Sequence, residues 1–258
     1  MGGLLEKAFR SSTRLARTWS AAGLDLFYPP ACASCRCDLA ASFESRFCND
    51  CRNLFVPVVA DRCRRCSAPV GPHLDTSAGC VHCSRERWKF DRVFSLGPYA
   101  DALRDACLRM KRAGTEPLAA ALGEELFRQW HEVLLSAKYD LIVPVPHHWR
   151  QRVWRTQLVP VTLGRVLSQA IGVPLSLHLV RKAKFTKQQS TLSVTERRAN
   201  LRGAFRRVPG RRIAGGRVLV VDDVLTTGTT SDRVARVLRE MGASSIDVAV
   251  VARGLGHS

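Results

Sequence analysis

The sequence predicts an α/β fold, a parallel sheet covered by helices on both faces, preceded by a small cysteine-rich domain. Three observations carry this. Nine of the ten cysteines lie between Cys32 and Cys83. From Phe90 onward, apolar strand-like runs alternate with helix-like runs and hairpin signals are missing, the pattern of parallel strands joined by crossovers. One strand-like run, VLVVDD, ends in two adjacent carboxylates and leads into TTGTT, so a ligand edge is expected at its carboxyl end.

Taken in order, residues 1–26 read as an amphipathic helix. Leu5, Ala8, Phe9, Leu15, Trp19 and Leu26 recur near helical spacing, with Lys7, Arg10, Arg14 and Arg17 between them. Such a helix lies on an anionic surface, membrane or RNA, or packs on its own domain. It has no continuous apolar core of the secretory type. No run in the chain approaches the ~18 apolar residues of a membrane span, and the protein is expected to be cytoplasmic with no integral membrane span.

Residues 27–88 hold four CxxC pairs: Cys32/Cys35, Cys48/Cys51, Cys63/Cys66 and Cys80/Cys83. A CxxC turn aims two thiolates at one point, and two such turns complete a tetrahedral Zn²⁺ shell. The gap within the first couple is 12 residues and within the second 13, which points to a tandem repeat of one zinc ribbon and to two structural zinc sites. Disulfides would need an oxidising compartment, and a thioredoxin-type pair sits singly in a strand–helix unit. A closed four-thiolate site leaves no position for substrate; it supplies folding energy to a segment too polar to build its own core. Cys37 is a spare thiol beside the first knuckle. His73 is nearby, and His82, inside the last CxxC, is expected outside the shell. Cys107 reads as a small core residue.

Residues 89–258 form the alternating half. FDRVFSLGPY reads as a strand, Asp101 to Met110 and Glu116 to Ala137 as helices, and YDLIVPVP as a strand ended by proline. Val159 to Ile171 reads as a helix stopped by Gly172. GRVLVVDD is a buried strand, Ser231 to Met241 an amphipathic helix, and SIDVAVVAR the last strand.

The chain carries 40 basic against 22 acidic residues, a net charge of +18. That field favours anionic partners (nucleic acid, phosphorylated metabolites, anionic lipid) without choosing among them, and an arginine-rich background composition produces it equally well. Arg62, Arg64, Arg65, Arg85 and Arg87 suit nucleic-acid binding and solubility alike.

Asp222 and Asp223, followed by Thr226, Thr227, Gly228, Thr229 and Thr230, form a cradle for a sugar phosphate. The carboxylates suit hydroxyls or a metal, and the hydroxyl- and amide-rich loop at a helix start suits a phosphate dianion. A strand ending in Asp-Asp also resembles a Walker B element, but GxxxxGK[ST] is absent, as is the GxGxxG of dinucleotide folds. A plain buried strand and capped helix leaves the second acid unexplained.

In order from Leu24, the LFYPPAC opening, the four CxxC pairs, FDRVFSLGPY, LRMKRAG, VPVP, QQSTLSVTERRANLRGAF and VLVVDDVLTTGTT resemble the ComF family. Its members join a double zinc ribbon to a type I phosphoribosyltransferase-like domain with a Rossmann-like parallel sheet. The resemblance implies that Asp222 and Asp223 hold the ribose hydroxyls of phosphoribosyl pyrophosphate (PRPP), bound with Mg²⁺, and that Thr226 to Thr230 hold its 5-phosphate. Lys111, with Gly114 behind it, matches the family loop near the pyrophosphate. The implied chemistry is phosphoribosyl transfer to an unidentified acceptor, with no covalent catalyst. Thr186, Gln189, Glu196, Arg197, Asn200 and Gly203 match a family segment that fixes a long loop or contacts an anionic ligand. The chain departs from the family's RGFNQ-like segment after VPVP, reading RVWRTQLV from Arg152, a change that bears on acceptor binding and turnover. Relatives in the family are associated with uptake of single-stranded DNA during natural transformation. The alternative implied function is therefore a non-enzymatic DNA-handling factor that meets the uptake machinery, with Trp88, Trp149 and Trp154 as candidate stacking residues.

Overall fold

The structure, a computed structural model, describes residues 30–40, 45–59, 61–147, 158–184, 201 and 203–255. The expected N-terminal helix, Trp149, the segment Arg152 to Gln157 with Trp154, and Thr186, Gln189, Glu196, Arg197 and Asn200 lie outside the described residues. Residues up to Arg52 form one compact unit and those from Asn53 another.

The two cysteine segments repeat one local geometry, as their near-equal spacing implies. In the first, Cys32 N–H donates to Cys37 O at 2.8 Å and Arg36 N–H to Cys32 O at 3.0 Å. In the second, Cys63 N–H donates to Ala68 O at 2.8 Å and Ser67 N–H to Cys63 O at 2.9 Å. Arg36 and Ser67 occupy the same place in each knuckle and both have positive φ, 65° and 60°. Antiparallel bridges close both turns, Ala31 with Asp38 and Arg62 with Pro69. A short helix, α1 (Asn49–Phe55), carries Cys51.

The larger unit contains a four-stranded sheet in the order β1–β6–β5–β2, every neighbouring pair parallel. The strands are β1 (Arg92–Pro98), β2 (Leu141–Pro144), β5 (Arg217–Leu225) and β6 (Ser245–Arg253). Between them run α2 (Asp101–Arg109), α3 (Glu116–Ser136), α4 (Val159–Ile171) and α5 (Thr229–Glu240). Both faces are covered, as the continuous apolar runs require. Val218 and Val220 join Val234, Ala235 and Leu238 of α5 in one core cluster. Leu219 and Val221, pointing the other way by alternation, are wholly buried on the side where α4 packs on β5 and β2. Gly172 ends α4 with φ 76°, the left-handed conformation that makes glycine the natural stop.

Around the two acids, both flanking boundaries differ from expectation. β5 continues beyond its acids to Leu225, and α5 begins at Thr229 rather than Ser231. The structure also adds an antiparallel pair, β3 (Val180–Lys182) with β4 (Phe205–Arg207), which the sequence reading lacks. No helix among the described residues is long and apolar enough to cross a membrane.

Candidate functional site

β5 is paired with β2 only as far as Val221, opposite Pro144. Asp222 and Asp223 therefore stand where β2 has stopped and, among the described residues, no strand pairs with that side of β5. Asp222 is 8% exposed. Burial raises its carboxyl well above the ordinary range, and the charge of Asp223 adds to this. Burial acts the same way on Asp223, but Lys111 outweighs it: Nζ lies 2.8 Å from Oδ2, and the Val224 N–H donates to Oδ1 at 2.8 Å. The two carboxyls are thus pushed in opposite directions, Asp222 up by burial and Asp223 down by the neighbouring Lys111.

Lys111 reaches this position from the turn after α2. Met110 is wholly buried and anchors the turn. The Thr115 hydroxyl lies 2.9 Å from Arg109 O and 2.7 Å from Arg112 O, and Gly114 takes φ 76°.

The following loop is short and well held. Thr226 is exposed, Thr227 and Thr230 half-buried, Gly228 and Thr229 buried. Gly228 is the N-cap of α5 at φ 74°, with no side-chain cap. The Thr229 N–H donates to Thr227 Oγ1 at 3.4 Å, and the helix dipole favours an anion at this end. Thr227 Oγ1 and Thr229 Oγ1 are 2.8 Å apart. Arg253, buried at the end of β6, donates to Leu225 O at 3.1 Å and also to Thr226 O. Trp88 donates from Nε1 to Thr227 O at 3.2 Å. Sequence reasoning missed Arg253 and gave Trp88 a different role. Only the position of Arg253, at the carboxyl end of a strand, was a usable signal. Gly203 is exposed, with φ 66°.

The cysteines form two groups of four, Cys32/Cys35/Cys48/Cys51 and Cys63/Cys66/Cys80/Cys83, each with all sulfurs within 4.8 Å of one another. Zn–S bonds of about 2.3 Å in a tetrahedron require S···S edges of about 3.8 Å. The observed separations include 3.7 Å (Cys63–Cys83), 3.6 Å (Cys66–Cys80), 3.9 Å (Cys80–Cys83) and 3.7 Å (Cys35–Cys48). They fit zinc and lie far outside the ~2.05 Å of a disulfide. His82 stands outside the shell, as expected. Cys37 Sγ lies 3.4 Å from Cys35 Sγ, so the spare thiol touches the first group. Cys107 is wholly buried.

Comparison with known proteins gives the same two parts. Residues 23–84 match the family described as double zinc ribbon domain, and residues 161–257 match the phosphoribosyl transferase domain. Competence protein F of Haemophilus influenzae is 30% identical over 183 residues, 67% of this chain and 78% of that protein. DNA utilization protein YhgH of Salmonella typhi is 29% identical over 241 residues, 89% of this chain and all of that one. Purine phosphoribosyltransferase from Pyrococcus horikoshii superposes with a TM-score of 0.35 at 20% identity, covering 51% of this chain and 83% of the other. With a double zinc ribbon ahead of a phosphoribosyl transferase domain, and with that degree of identity to competence protein F, the chain belongs to the ComF family.

Proposed function

We propose that the chain binds PRPP with Mg²⁺ at Asp222–Thr230 and transfers its phosphoribosyl group to an acceptor. One observation carries the reading: buried Asp222, half-buried Asp223, the start of α5 and Lys111 converge at the carboxyl end of β5. The Thr226–Thr230 amides and hydroxyls take the 5-phosphate, and Asp222 and Asp223 take the ribose hydroxyls. In transfer, the bond from the anomeric carbon to pyrophosphate breaks as the bond to the acceptor forms. Positive charge grows on the sugar beside Asp223, and negative charge leaves on pyrophosphate toward Lys111. Mg²⁺ arriving with PRPP supplies further neutralisation of the leaving group. Calorimetry with PRPP and Mg²⁺ tests binding, and pyrophosphate release with a panel of bases and oligonucleotides tests transfer. An intact protein that shows no heat and no thermal shift with PRPP·Mg²⁺ overturns the reading.

A second reading, single-stranded DNA handling, rests on a cleft of about 340 Å³ in which Arg85, Arg87, Arg233 and Arg236 outnumber the acids Glu86 and Asp232, with Trp88, Thr227 and Thr229 completing the lining. Two relatives carry the names competence protein and DNA utilization protein. Binding of oligonucleotides through arginines weakens steeply with salt; affinity indifferent to salt removes this reading.

A further inference from the structure

Trp88 connects the second four-cysteine group to the loop that starts α5. Besides its bond to Thr227 O, its ring lies over Gly228 so closely that a Cβ added there would stand 2.8 Å from Cε2 and Nε1. A ring against the glycine and a hydrogen bond to the carbonyl before it fix the turn on both sides. One residue further on, Lys89 N–H donates to Asp232 Oδ1 at 2.9 Å, in the first turn of α5.

The same indole is held from the cysteine side. The Arg65 guanidinium carbon lies 5.4 Å from the Trp88 ring centroid, and Phe90 stacks on the ring at 4.8 Å with planes 22° apart. Arg65 sits inside the Cys63–Cys66 turn. Its two terminal nitrogens donate to Cys83 O at 2.7 Å and Glu86 O at 2.6 Å. Arg65 therefore ties one CxxC turn to the residues leaving the other, and the chain leaving Cys83 runs directly to Trp88. This bidentate geometry needs both turns drawn to one point, the constraint a bound metal imposes.

We propose that Trp88 is a positioning residue for the 226–230 loop, and that through Arg65 and Trp88 the metal occupancy of Cys63/Cys66/Cys80/Cys83 sets the order of that loop. A loop ordered only part of the time binds its ligand more weakly in proportion to the ordered fraction. The affinity consequence rests on the PRPP reading; the ordering of the loop does not.

The test uses the full chain and the variants Trp88→Phe, Arg65→Met and the double variant, with zinc content measured for each. Hydrogen exchange is followed at 226–230 without ligand, with β6 as an internal control, and PRPP·Mg²⁺ affinity is measured separately. Each single variant is expected to retain its zinc and its β6 protection. Loop exchange should rise, and affinity fall, about fivefold, the equivalent of one hydrogen bond. The double variant should add little, because both residues act along one path. Stripping zinc from the wild type should release the loop while β6 stays protected, and should change little more in Trp88→Phe. Unchanged loop exchange in Trp88→Phe overturns the proposal. So does a rise shared equally by β6, in a variant or on stripping, because the effect is then global. If wild type binds no PRPP·Mg²⁺, the functional reading fails, and the exchange data still decide the role of Trp88.

Discussion

Lys111 Nζ stands 2.8 Å from Asp223 Oδ2, and this contact lowers the Asp223 carboxyl while its neighbour Asp222 is raised by burial. Asp223→Asn leaves the lysine without its partner. Both groups keep some solvent contact, 34% and 23% of their side chains, so the cost lies below the 3–5 kcal/mol of a fully buried pair, at about 1–2 kcal/mol. Lys111→Met should cost a similar amount, and the double variant less than the sum. Denaturant melts of the three proteins check this. Strictly additive losses show that the contact does not form in solution.

Asp222 gives a pH dependence of definite sign. Burial raises its folded carboxyl well above the unfolded value of about 3.9. Between those two values the native state holds the extra proton, so this group's contribution is full below the unfolded value and is lost as pH rises through the folded one. Asp222→Asn removes the ionisable group. It should exceed wild type in stability at neutral pH, with melting temperature up by about 2–4 °C per kcal/mol relieved, and the gain should shrink as the solution is acidified. The same variant should lose PRPP·Mg²⁺ binding, the usual conflict between stability and a functional site. A melting temperature below wild type at pH 7 contradicts the upward shift of the Asp222 carboxyl.

The parts of this arrangement differ in how far the sequence reveals them. The four CxxC knuckles are legible because each is built from a few consecutive residues, whereas which two share a site is read from the structure. The VLVVDD strand and its loop are legible for the same reason. Lys111 is reached only through the family resemblance: its partner is distant in the chain, and a lysine after a helix carries no mark of its own. Trp88 and Thr227 are 139 residues apart, and one tryptophan looks like any core residue until both ends are placed. Arg65 and Arg253 are hidden by composition, since arginine is abundant throughout. The β3–β4 pair escapes because strands of three residues separated by a long connection present neither periodicity nor a tight turn.

A third carboxyl, Asp247, lies toward the amino end of the sheet, opposite Arg92 and Leu219 in register. Its Oδ2 accepts from the Tyr139 hydroxyl at 2.6 Å and from Arg92 at 2.9 Å, and the residue is 2% exposed. Placement at the end away from the ligand edge makes it a structural acid. Tyr139→Phe should cost about 1–3 kcal/mol by removing a donor from a buried carboxylate, and PRPP·Mg²⁺ affinity should not move. Equilibrium unfolding and calorimetry on the same preparation separate the two effects. A large affinity loss with normal stability gives Asp247 a part in the ligand site.

Zinc removal should proceed in two phases. All four cysteines of the second group are buried, whereas Cys35 of the first is exposed and Cys48 half-buried. A chelator or a thiol reagent attacks through exposed sulfur, so the first site should empty well before the second. Colorimetric release should show about two zinc ions per chain in two kinetic phases, and Cys35→Ser should speed or abolish only the fast one. Loss of the slow zinc should coincide with increased exchange at the 226–230 loop, because Arg65 of that knuckle holds Trp88 against it. Release in a single phase, with loop exchange unaffected at its end, contradicts both the ranking of the two sites and the connection between the second site and the loop.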